Sequence, residues 1–304
     1  MLTLKNKFPI IDAHHHFWDL SLEKHPWLNS RTVNEFRYGD YSSIKKDYLI
    51  NDYRDDTKKY RVSKTIHVEA EWVCSDPVGE TLWLTKYHDK TGFPNGIVGQ
   101  VWFSRGDAEK VLLGHSQSPL IRSVRQKPFA TKSSKNFIPN LPGSLADPAF
   151  REGFKILSKY KLNFDLQTPW WHLGEAADLA RDFSDTLIIL NHTGLPSDRT
   201  PSGISSWREM METFAAQPNT LVKISGICVP GMEWTTDLNR DIVLEVIRIF
   251  GVDRCMFASN FPVDKLLASF DQIFDGFNQI TMDLSERDRS KLFHDNALIY
   301  YDPV

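Results

Sequence analysis

The chain has 304 residues, 41% hydrophobic and 25% charged, with a formal net charge of −3, ordinary globular values with enough apolar content for one large core. No block of five or more Lys or Arg appears, which argues against a nucleic-acid footprint or a polybasic membrane patch, and no apolar run nears the ~18 residues of a membrane span. Three widely spaced cysteines (Cys74, Cys228, Cys255) suit free thiols in a reducing compartment, and MLTLKNKFPIIDAHHH lacks the features of a signal peptide, so the expected location is the cytoplasm.

Eight short apolar runs follow one another: FPIIDA (8–13), SKTIHVEAEW (63–72), GIVGQVWF (96–103), LIRSVR (120–125), KLNFDLQ (161–167), TLIILNH (186–192), TLVKISG (220–226) and RCMFAS (254–259). Each reads as a strand. Amphipathic segments between them read as helices over 79–90, 147–160, 173–183, 203–217, 236–251, 264–277 and 285–301; the second opens with an Asp N-cap and Pro at the first helical position. Strand–helix alternation with nearly continuous apolar strands predicts a parallel sheet covered by helices. Eight such units predict an α/β fold, a single-domain (β/α)8 TIM barrel over 1–304. The competing open sheet lacks a Gly-rich phosphate loop after its first strand. The irregular stretch 18–50 exceeds ~15 residues, a length typical of a lid or of a loop with small elements of its own.

In a parallel barrel the active site lies at the C-terminal strand ends. The first run leads into His14, His15 and His16. Strand alternation puts His14 and His16 on one side and His15 on the other, and two imidazoles so placed can meet one metal ion or one substrate. The second strand gives His67, Glu69 and Glu71 on one face; Glu69, favoured over Glu71, can ligate a metal, act as a base or pair with an Arg. Arg122 and Arg125 sit on the fourth strand. Arg125, the later one, suits a substrate carboxylate, with a salt bridge to a neighbouring loop as the competing role. The remaining strand ends carry Asp165 and Gln167, His192 before Gly194, Lys223 and Ser225 before Gly226, and Ser259 and Asn260 with Asp264 four residues on. Trp18, Trp72, Trp102, Trp170 and Trp171 lie at or beyond the ends of apolar runs, a position that favours a pocket wall for some of them.

Together IIDAHHHFWD, GETLWL, FDLQT, LNHTGLPSDR, VKISG, RCMFASNFPVD and FHDNALIYY resemble the amidohydrolase superfamily, in its amidohydrolase-related branch, similar to sugar lactonases and 2-pyrone-dicarboxylate lactonases. The resemblance covers essentially the whole chain. It implies a (β/α)8 barrel and a hydrolase that opens a cyclic ester of a sugar acid or of a carboxylated intermediate. Carried over, His14 and His16 match the first-strand pair, His192 the later catalytic histidine, and Asn260 the eighth-strand position. The family pattern usually has an aspartate there, which holds the attacking water and takes its proton. An amide is no base at neutral pH, so the base must be Glu69, Asp264 or a histidine. FASNFPVD looks like a recurrent Asn subgroup of the branch. No lysine stands out as a carbamylated bridge, so the implied cofactor is one divalent, zinc-like ion on His14, His16, Glu69 and His192, or none. Arg125, Gln167, Trp18, Trp72, Trp170 and Asp264 would shape the substrate pocket. The expected partner is a small anionic or polyhydroxylated substrate, with no nucleic acid and no membrane; nothing in the sequence sets the oligomeric state. Two other readings compete. One is a decarboxylase of the same superfamily, against which Asn260 counts. The other is a barrel that binds a small molecule without turnover, which Asn260 favours and the three rim histidines oppose.

Overall fold

The computed structural model describes residues 8–31 and 35–304. Eight parallel strands, Ile10–His15 (β1), Val62–Val68 (β2), Gly96–Gln100 (β3), Ile121–Gln126 (β4), Asn163–Leu166 (β5), Ile188–Leu190 (β6), Thr220–Ile224 (β7) and Cys255–Phe257 (β8), lie in chain order in one sheet. Each overlaps a predicted run. Neighbouring strand residues divide between two apolar layers, which is why the strands read as continuous hydrophobic runs. Ile11, Ala13, Ile66, Val68, Val98, Ile189, Leu221, Met256 and Ala258 pack together inside the barrel. Ile10, Ile97, Val124, Ile188, Leu190, Val222 and Phe257 pack outward with the helices.

Helices Gly79–Thr91, Leu173–Asp182, Pro201–Ala215 and Thr236–Phe250 stand where predicted. Three segments differ. The expected 147–160 helix divides into Pro148–Phe154 and Leu157–Tyr160. The expected 264–277 helix begins only at Phe270, because Ser269 caps there: its hydroxyl accepts from the Gln272 N–H while the Gln272 side chain accepts from the Ser269 N–H. The last helix is interrupted over Lys291–Asp295 by a wider π turn. The helices Ile50–Thr57 and Ala108–His115 lie outside the predicted segments. No helix among the described residues is long and apolar enough to cross a membrane.

The barrel closes between β8 and β1 with little regular ladder. Asn260 N–H donates to the His14 carbonyl (2.8 Å) and His16 N–H to the Phe261 carbonyl (2.7 Å). The Asp12 carboxylate supplies the rest. One oxygen accepts from Ser259 N–H (2.8 Å) and His14 N–H (3.3 Å), the other from the Ser259 hydroxyl (2.5 Å) and the Tyr53 hydroxyl (2.8 Å). One buried side chain thus ties the first strand, the end of the last strand and the 50–57 helix. Asp12→Asn replaces an acceptor oxygen by a donor facing these donors. It is expected to destabilise the fold by about 2–4 kcal/mol, measured as a lower urea midpoint with unchanged slope; an unchanged midpoint would contradict the role.

Candidate active site

β1 carries one residue more than its partner: Asp12 pairs with Thr65 but His15 with His67. This bulge shifts the inward phase. Ile11 and Ala13 face the inner core, and beyond the bulge His14 and His16 take the inward side. The rings of His14 and His16 are 5.0 Å apart, and those of His14 and His192 4.6 Å. His15 packs on the outside against Tyr53 and Phe17.

His192 follows β6 in an unusual turn. His192, Thr193, Gly194 and Leu195 all have positive φ (56°, 52°, 69° and 57°). Left-handed backbone costs a non-glycine residue roughly 1–2 kcal/mol, so the surroundings must hold it. Trp207 Nε1–H donates to the Thr193 carbonyl (2.8 Å), and His192 Nδ1 meets the Ser225 hydroxyl at 3.0 Å. Gly226, itself at φ +59°, leaves the ring its space: a Cβ there would lie 2.5 Å from His192 Nδ1.

Asn260 also has a positive φ, 55°. Its Nδ2 donates to Asp264 (2.7 Å), and its Oδ1 stands 3.4 Å from His16 Nε2. His16 Nδ1 faces the Val68 carbonyl at 2.7 Å. A carbonyl only accepts, so the His16 proton sits on Nδ1 and Nε2 keeps a bare lone pair. Burial holds His14, His16 and His192 well below the ordinary histidine range, helped respectively by the neighbouring His192, by Arg125 and by Arg37. The three rings are therefore neutral.

A cavity of about 470 Å³ opens over this floor, lined by His16, Arg125, Gln167, His192 and Asn260 from five strand ends. Trp18, Trp27, Phe36, Arg37 and Tyr41 from the 18–50 stretch line it too. Trp18, expected in the pocket, is there, anchored by Nε1–H donation to the Lys46 carbonyl (2.8 Å). The other four carried no motif; the length of that stretch was their only signal.

Several expected residues stand elsewhere. Glu69 does not join the imidazoles: it accepts from Arg125 Nε (2.6 Å), and Arg125 Nη2 donates to the Glu69 backbone carbonyl (2.6 Å). Burial opposes the Glu69 charge, but Arg125 beside it brings its carboxyl below the usual range. Arg125, expected to meet a substrate carboxylate, is thus already paired, with Nη1 on Gln167 Oε1 (3.0 Å). The shared face expected for His67, Glu69 and Glu71 does not form, because β2 ends at Val68. His67 turns outward and its Nε2–H donates to Glu80 (3.2 Å), whose carboxyl burial pushes up to about 8. Glu71, at φ 57°, pairs with Lys127 at the surface. Arg122 bonds backbone carbonyls of Pro119 and Asp302. Asp264 lies beneath the floor, accepting from Tyr38, Asn260 and the Gly226 N–H. Trp170 packs beside Gly194 and Trp171, off the cavity lining. Trp72 faces an adjoining cavity instead.

Of the expected ligand set, Glu69 stands apart on Arg125, while the rings of His14, His16 and His192 come together and both His14 ring nitrogens are buried without a hydrogen-bond partner. Among the described residues no group of three or more His, Cys, Asp or Glu side chains is arranged to hold a metal ion. Lys223, at the centre of the barrel, bonds Asp165 (2.5 Å), which also accepts from Tyr301 and Asn191.

A family model described as amidohydrolase matches residues 11–302. The chain is 45% identical over 293 residues to the uncharacterized protein y4mH of Sinorhizobium fredii, spanning 96% of this chain and 98% of that one. It is 30% identical over 275 residues to an L-fucono-1,5-lactonase of Burkholderia multivorans, spanning 86% and 85%. Among solved structures, an amidohydrolase of Burkholderia multivorans with bound zinc superposes with a TM-score of 0.80 at 20% identity, covering 97% of this chain and all of that one.

Gly226→Ala tests the packing behind His192. It is expected to cost about 1–3 kcal/mol and to move the His192 imidazole resonances in a histidine-labelled NMR spectrum. Unmoved resonances would show that the ring does not depend on this glycine.

Proposed function

We propose that this chain, which belongs to the amidohydrolase family, is a hydrolase that opens the ring ester of a lactone derived from a sugar acid. The observation that carries the reading is the pair of acceptors at the cavity floor, His16 Nε2 and Asn260 Oδ1, 3.4 Å apart. Two lone pairs cannot bond each other. A water molecule above the pair, on the cavity side, donates one O–H to each, and its own lone pair then faces the cavity. Asn260 orients this water; His16 takes its proton. The Asn260 amide thereby fills the positioning half of the expected aspartate's role, and a neutral imidazole fills the other.

In this scheme the water oxygen attacks the ring carbonyl as His16 Nε2 accepts the proton. Charge develops on the carbonyl oxygen. Arg125, the Gln167 amide (its oxygen already bonded to Arg125) and the His192 ring are the donors at the cavity wall that stabilise it. Collapse breaks the ring C–O bond, and His16 returns its proton to the departing alkoxide, leaving a hydroxy acid. These steps use this chain's own side chains, and Glu69 is engaged with Arg125. The lactonase relative and the aromatic and amide lining of the cavity support a polyhydroxylated substrate.

The first test is acid release from a panel of sugar-acid and muconate-type lactones, with His192→Ala as background. Turnover is expected on at least one sugar-acid lactone, with kcat reduced about 10²–10⁴-fold by His16→Ala and about tenfold by Asn260→Ala. A flat panel, or CO2 release from an aromatic acid in its place, would overturn the assignment. Because His16 is held neutral by burial and Arg125, kcat/KM should stay level as pH falls through ~6.5, the ordinary histidine pKa, and drop only at more acid pH. An acid limb centred near that ordinary value would exclude His16 as the base. Dialysis against a chelator is expected to leave the rate unchanged; loss restored by added zinc would place an ion in the step.

A further inference from the structure

We propose that a second cavity beside the first is a subsite for a neutral sugar ring, so that the substrate is a lactone carrying a glycosyl substituent. This rests on the lactonase reading for the reacting end only. The second cavity measures about 540 Å³ and shares Trp27, Glu71, Arg125 and Lys127 with the first. Both volumes lie within the ~300–1,000 Å³ of small-molecule pockets. These four side chains line both spaces, which places the two cavities side by side.

The lining selects the occupant. Gln100, at the end of β3 and paired in register with Arg125, is only 3% exposed, and its Nε2 has no hydrogen-bond partner. A buried amide N–H without an acceptor is costly, so the cavity calls for a ligand oxygen. Gln126 offers a second amide, its oxygen already accepting from Phe103 N–H (2.7 Å). Trp72 and Trp102 contribute indoles to the same lining. Charge is cancelled pair by pair: Arg125 with Glu69, Lys127 with Glu71. A site with amide donors, indoles and no net charge fits an uncharged polyhydroxylated ring, whose C–H faces pack on indole and whose oxygens accept from amides. It does not fit a carboxylate, for which a free cation would be required.

The test compares kcat/KM for a hexonolactone and for the lactone of a disaccharide aldonic acid, in the wild type and in Gln100→Leu and Trp102→Phe. Binding of the matching disaccharide alcohol, which has no ester, is followed by tryptophan fluorescence. The wild type should prefer the two-ring lactone by about tenfold or more. Each variant should erase most of that preference while changing the one-ring lactone by less than about twofold. Equal losses on both lactones, or no preference in the wild type, would overturn the subsite. If neither lactone turns over but the disaccharide alcohol binds the wild type and not Gln100→Leu, the lactonase reading fails and the subsite stands. If the alcohol binds neither protein, the subsite fails.

Discussion

A buried carboxylate holds this barrel shut. Asp12 accepts four hydrogen bonds at the seam where the sheet has little regular ladder, and two of its donors come from Ser259 alone. Burial raises its pKa while its Ser259, Tyr53 and His14 donors pull it down. The seam also places the chemistry. Residues His14 and His16 on one side and Asn260 on the other are joined by the same backbone bonds that close the sheet. The positions of the floor atoms follow from closure.

Around that floor the protein keeps charges in pairs and imidazoles neutral. Arg125 lies among the histidines, yet Glu69 cancels it at 2.6 Å. Lys223 lies beneath them, cancelled by Asp165 at 2.5 Å. Both cations make a protonated imidazole still less favourable without leaving a net charge for a ligand to neutralise. The outcome is a floor without net charge and rich in lone pairs, suited to holding water and accepting its proton. The left-handed residues Glu71, His192 and Asn260 stand at the ends of three different strands, so backbone strain gathers where side chains must leave the strand direction.

The barrel was legible because its strands are buried on both faces and its helices carry ordinary start signals. The paired orientation of His14 and His16 was legible too, since both lie beyond the bulge in β1, where plain alternation resumes. Side chains past a strand's last residue were not. Alternation carried from His67 to Glu69 fails because β2 ends at Val68, after which the chain turns through a left-handed residue. Trp170 and Trp18 look alike in sequence, each beside a strand end. Only three-dimensional packing puts one beside Gly194 and the other at the cavity. In sequence Arg125 fits either a ligand-binding cation or one half of a salt bridge; its partner is Glu69, 56 residues away, beyond the reach of any local pattern.

The seam also bears on how the protein is made. Asp12 and Ser259 are 247 residues apart in the chain. Synthesis at ~5–20 residues per second takes roughly 10–50 s to cover that distance. For most of that interval β1 can pair with β2 on one side, while its other side, where Asp12 meets Ser259 and the His14 carbonyl meets Asn260, lacks its partner. The seam and the Asn260 side of the floor are completed only when the last strand docks on the first, so this part of the site comes last in synthesis.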